Sequence, residues 1–101
     1  IMIRHVVCFK MKDGCSAEAA REMLLSMKGR EETALDVEVG VDGLHSARSY
    51  DLILIVTLKD FAALEAYQTA GYHAHTVKPY MHTVTDTSKS VAVDYEVREA
   101  D

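Results

Sequence analysis

Apolar and polar residues alternate over Ile3–Lys12 (IRHVVCFKMK), placing His5, Val7, Phe9 and Met11 on one face and Arg4, Val6, Cys8 and Lys10 on the other. The period of two predicts a first strand. Asp13-Gly14 turns the chain, and Ser16 can cap a helix whose Glu18 suits the positive end of its dipole. Ala17, Ala20, Met23, Leu24 and Met27 then recur at helical spacing in one apolar stripe, which Gly29 ends. After a polar linker, Arg30–Ala34, alternation returns in Leu35–Val41, with Leu35, Val37, Val39 and Val41 inward and Asp36, Glu38 and Gly40 outward. Asp42–Ser49 reads as a loop. Tyr50–Lys59 (YDLILIVTLK) is different, because Leu52–Val56 is apolar on both faces and needs cover on both.

Asp60 can cap a second helix with Phe61, Leu64 and Tyr67 on its buried side, and Gly71 stands where a C-terminal cap would. Tyr72–Val84 allows a further short helical turn, limited by Pro79, which disfavours a helical Lys78. Asp86-Thr87-Ser88 is a turn. Lys89–Val97 (KSVAVDYEV) makes a last strand with Val91, Val93, Tyr95 and Val97 on one face. The order is βαββαβ, an α+β, ferredoxin-like antiparallel sheet with both helices on one face. The other face would carry Val6, Cys8 and the second side of the apolar third strand. A bare apolar face of this kind marks an interface, and its simplest cover is a second copy. The expectation is a homodimer, closed as a dimeric α/β barrel.

Composition narrows the function. A chain of 101 residues fits one domain, residues 1–101, and a net charge of −5 with no long basic run argues against nucleic acid or an anionic membrane as partner. The longest strongly apolar run, Leu52–Val56, is far too short to span a bilayer. No charged-then-apolar leader precedes the first strand. Cys8 and Cys15 would stand roughly 20 Å apart along mostly extended chain, too far for a disulfide without a turn between them. A reduced, cytoplasmic protein is the expectation.

Candidate chemistry gathers in Tyr67–His82, which holds His73, His75, His82, Tyr67, Tyr72 and Tyr80. Nowhere else are groups able to move a proton near neutral pH so dense. In a βαββαβ plan the end of the second helix lies over the beginning of the first strand. Tyr67 and His73 should therefore approach His5, on the face it shares with Val7 and Phe9. Such a set could bind a carbonyl or phenol and shuttle a proton. The same residues also admit a structural reading: Tyr67 filling the core, His5 on a backbone carbonyl, His73 at a helix end. A metal site of His73, His75 and His82 is disfavoured, because residues two apart point to nearly opposite sides of a helix and no carboxylate lies within the stretch. Cys8 reads as inert packing, Lys10 and Lys12 as a solvated strand end, and Asp94 and Glu96 as solvent-facing or dimer-contacting carboxylates. The glycines form no phosphate-cradling loop, and no cofactor is expected.

Five pieces in order resemble one family: IRHVVCFKMK, the VEVG of the second strand, SYDLILIVTLKD through the third, LEAY with His73 six residues after Tyr67, and the closing VAVDYEV. From Ile3 to Val97 the chain is similar to stress-responsive α/β-barrel (Dabb) domains, of the dimeric α+β-barrel group. The resemblance implies the dimer and a pocket between sheet and helices. It also brings in an enzyme type that closes a polyketide chain by an aldol step without cofactor or metal. That type's strand-1 histidine matches His5, and its helix-2 tyrosine and following histidine match Tyr67 and His73. A pocket tyrosine falls on Met27, a pocket histidine near Leu52, and the usual His-Pro before the second histidine is Ala70-Gly71. Two readings follow. One is a binding protein for a small apolar or aromatic metabolite, its pocket lined by His5, Val7, Phe9, Met27, Tyr67 and His73. The other is a cofactor-free enzyme with His73 as catalytic base and Tyr67 and His5 orienting the carbonyl. A dimer whose own side chains fill the pocket is the third alternative.

Overall fold

The computed structural model describes residues 1–98. Strands β1 (Ile3–Phe9), β2 (Ala34–Val41), β3 (Leu52–Leu58) and β4 (Val91–Glu96) form one antiparallel sheet in the order β2-β3-β1-β4. Helices α1 (Ala17–Leu25) and α2 (Phe61–Thr69) complete the expected α+β, βαββαβ plan. Ser16 Oγ accepts from the Ala19 N–H at the start of α1, and an Asp60 carboxylate oxygen accepts from the Ala63 N–H at the start of α2.

The register fixes which side chains share a face. His5 lies opposite Val56 and Asp94, and Val7 opposite Leu54 and Ala92, on the helix side. Ile3, Val37, Leu54, Val56 and Leu58 of the sheet meet Ala20, Leu24, Met27, Tyr67, Val77 and Met81 of the helical layer, all buried, in one cluster. On the opposite face Val6 lies between Ile55 and Val93, and Cys8 between Ile53 and Val91. There Val93 is 63% exposed and Val91 50%, so this apolar surface is uncovered in the single chain.

Several boundaries and faces differ from expectation. Strand β1 stops at Phe9, and Met11 continues only as an isolated bridge to Thr85; β3 starts at Leu52, not Tyr50. Leu35 does not point inward. The β2–β3 register skips it between Ala34 and Asp36, a bulge that turns the side chain out and leaves it 59% exposed. Phe61 is 49% exposed, because in the first turn of α2 it stands at the edge of the stripe that Leu64 and Tyr67 continue inward. The largest departure follows α2. Gly71 adopts φ +80°, and the chain enters a π-helical turn, His73–Val77, that runs directly into α3 (Lys78–Val84). Lys78 is helical after all (φ −59°, ψ −48°). The wider turn lets its N–H reach the His73 carbonyl, and Pro79 falls in the first turn of α3, where a missing N–H costs little.

Candidate functional site

Three elements bring the site together. β1 supplies His5, the last turns of α2 supply Tyr67, and the π-helical turn supplies His73. The Tyr67 ring sits between the two imidazoles. It stacks on His73 with centroids 3.9 Å apart and planes within 11°, and meets His5 edge-on at 5.6 Å. All three are buried. The convergence expected from the helix direction is therefore present.

Their polar atoms are arranged differently from the expectation. His73 Nδ1–H donates to the Tyr67 carbonyl at 2.9 Å, satisfying one of the orphan carbonyls at the end of α2. His5 Nδ1–H donates to Asp94 Oδ1 at 2.5 Å, across the β1–β4 pairing. Since both acceptors are oxygens without hydrogens, each ring carries its proton on Nδ1. In the neutral ring Nε2 is left with its lone pair. Neither Nε2 has a hydrogen-bond partner among the described residues, and neither is sealed from solvent.

Tyr67 is a platform and not a proton donor to the site. Its hydroxyl points away, donating to Met27 Sδ at 3.7 Å, and burial, with the Glu31 charge adding to it, pushes the phenol well above its ordinary range. Met27 is likewise fully buried and is not among the residues lining the cleft described below, and Leu52 is core. Burial lowers the His73 pKa from 6.5 to about 4, with the Lys78 and His5 charges adding to the effect against the Tyr67 carbonyl bond and Glu31. The imidazole is neutral at pH 7.

His5 and His73 line a cleft of about 280 Å³ between β1, β4 and the α3 region. Val7, Phe9, Leu24, Leu54, Met81 and Ala92 make its apolar lining, and Gln68, Lys78, His82, Thr85, Thr87 and Ser90 its polar lining, with Thr85 fully buried and its hydroxyl donating to the Met81 carbonyl. Of the residues expected to bind a ligand, His5, Val7, Phe9 and His73 line this cleft, and Tyr67 and Met27 lie behind it. Two participants escaped the sequence. Asp94 read as a surface carboxylate, yet its parity with Ala92 puts it on the helix face. Glu31, in the supposed linker, is buried and accepts from the His73 N–H at 2.8 Å, while its second oxygen accepts from Thr33. A Cβ at Gly71 would meet this carboxylate only at an ordinary contact distance, 3.4 Å, so the φ of +80° is what calls for glycine there. No sequence pattern announces that contact.

Among the described residues no group of three or more His, Cys, Asp or Glu side chains is gathered as metal ligands. Cys8 and Cys15 are free thiols. No helix among the described residues is long and apolar enough to cross a membrane.

Residues 3–97 match the model of the stress responsive A/B barrel domain family, Dabb. No curated protein matches the chain by sequence. Solved structures share the fold. A dimeric protein of unknown function and ferredoxin-like fold from Bacteroides fragilis superposes with TM-score 0.75 at 17% identity, covering 95% of this chain and 96% of that one. A Dabb family protein from Mesorhizobium loti gives TM-score 0.70 at 20% identity, with 96% and 97% covered. A hydroxynitrile lyase from Passiflora edulis gives 0.72 at 16%, with 97% and 94% covered.

Proposed function

The chain belongs to the stress responsive A/B barrel domain family, and we propose that it is a homodimeric binding protein holding one small, mostly apolar or aromatic molecule in the cleft between sheet and helices. One observation carries this reading: His5 and His73, each with an Nε2 unpartnered among the described residues, line a mostly apolar cleft of about 280 Å³, near the lower end of the range for small-molecule sites. A core that merely packed itself would fill that space. The dimer is supported by the uncovered apolar face of β4, β1 and β3, and by the dimeric state of the neighbour from Bacteroides fragilis.

Ala92 provides the test, because it lines the cleft from the edge strand with a small side chain. Calorimetric titration with 4-methylphenol should show one site per chain, and Ala92→Phe should plug the cleft and abolish binding while the urea midpoint stays within experimental error. Undiminished binding by that variant would place the ligand elsewhere and end the reading.

The His5–Asp94 pair favours a second reading, a cofactor-free proton transfer. Here the base is His5 and not His73, whose basicity burial removes. Asp94 would hold the His5 tautomer and stabilise its imidazolium, as the acid member of a catalytic triad does. Deuterium exchange from solvent into the activated C–H of a small 1,3-diketone, followed by proton NMR, decides it. Exchange should be accelerated by the wild type and fall about a hundredfold or more in His5→Gln. Equal rates would leave binding alone.

A further inference from the structure

The cleft has a polarity that its residue list does not reveal. Imidazole is ambivalent, since either nitrogen can carry the proton and the other accepts. Here both rings are fixed the same way round. The Asp94 carboxylate oxygen takes the Nδ1 hydrogen of His5, and the Tyr67 carbonyl takes that of His73. Tyr67 packs against both rings, stacked on one and edge-on to the other, and neither ring can turn over without breaking its Nδ1 hydrogen bond. With His5 neutral, the two imidazoles thus both offer acceptors to the cleft, while among its other polar groups the Thr85 hydroxyl is spent on the Met81 carbonyl.

We infer that the cleft selects molecules presenting a hydroxyl hydrogen, and rejects ethers and other acceptor-only analogues of the same shape. The ligand O–H donates to one Nε2, and the other accepts from a second ligand donor or a water. An acceptor-only ligand sets its oxygen lone pairs against those of nitrogen and strips water from a buried acceptor without replacement, which is the costly side of hydrogen-bond bookkeeping. Lys78 does not reverse this preference. Its ammonium already donates to the Gln68 carbonyl at 2.6 Å, and the side chain is only half-buried, where water substitutes readily. The inference rests on the binding reading and adds the chemical class of the ligand.

Two measurements on the intact wild-type protein test it and separate its failure from that of the binding reading. Long-range proton–nitrogen correlation at pH 7.5 should show His5 and His73 both as Nδ1–H tautomers, with pyridine-type Nε2 shifts. An Nε2–H tautomer at either ring overturns the inference whatever binds. Calorimetry should then give 4-methylphenol an affinity about tenfold or more above that of 4-methylanisole, which differs only in lacking the donor. Equal affinities overturn the selectivity and leave the cleft as a binding site. Failure of both compounds to bind removes the binding reading and the inference with it.

Discussion

Along β1 and β3 successive side chains feed two apolar faces of the same sheet. Val7, Leu54 and Val56 go to one, and Val6, Cys8, Ile53 and Ile55 to the other. The strands make little distinction between them; the covering layer does. Helices close the first face over β2, β3 and part of β1, whereas every residue of β4 remains exposed. Where that cover thins, at the β1–β4 edge, the helix face opens into the cleft and carries the His5–Asp94 pair. Among the described residues the second face has no cover and no comparable polar pair at its centre. On the reading proposed above, one face encloses something small and the other meets something flat. Hydrophobicity alone does not separate these roles; incomplete cover and buried polar atoms do.

The comparison can be broken first at Tyr67. On the covered face its ring fills the core and supports both imidazoles, so Tyr67→Ala should cost roughly 3–5 kcal/mol in urea unfolding, as large aromatic truncations in cores do. A loss below about 1 kcal/mol would mean that the layer is not packed as described. The open face responds differently. Val93 is 63% exposed in the single chain, and Val93→Lys should leave the fold intact while weakening self-association about a hundredfold. Light scattering at micromolar concentration should then read a monomer mass, where the wild type reads twice that. An unchanged dimer would move the interface off this face.

The smallest effect is a pH dependence belonging to the covered face alone. His73 is neutral when folded down to about pH 4, whereas the unfolded imidazole takes its proton near 6.5. The unfolded chain therefore binds the proton first as pH falls. The stability that His73 contributes is full above about 6.5 and drains away between 6.5 and 4. Between pH 7.5 and 5 the loss from this residue is about 2 kcal/mol. His73→Gln should remove that part of the slope, read as the difference between wild-type and variant urea curves at the two pH values. Identical slopes would show that the ring is not held neutral by burial.

The element order, both sheet faces and the neighbourhood of His5, Tyr67 and His73 were legible, because they follow from period-two and helical spacing and from the direction α2 must take across β1. Tyr67 on the buried stripe of its helix is an example. What escaped depends on contacts between distant parts of the chain. Asp94 looks like any surface carboxylate until β4 is set beside β1 in register. The Tyr67 hydroxyl could be sent into the cleft or toward Met27 by the same spacing, and packing chose Met27. Glu31 reaches His73 across 42 positions. Leu35 lost its inward place to a bulge, and the helical Lys78 before Pro79 needed the π-helical turn, which the local sequence does not announce.

Methyl groups on alternate residues of one strand report opposite faces, and a methyl proton–carbon map during titration with 4-methylphenol reads both at once. Val7, Leu54, Met81 and Ala92 line the cleft, while Val6, Ile53 and Val93 lie on the opposite face. Saturable shifts at the first set, with the second unmoved, are the result expected of a ligand site on the helix face. Shifts at Val6, Ile53 and Val93 without the others would put the ligand on the open face and contradict the division of roles between the two.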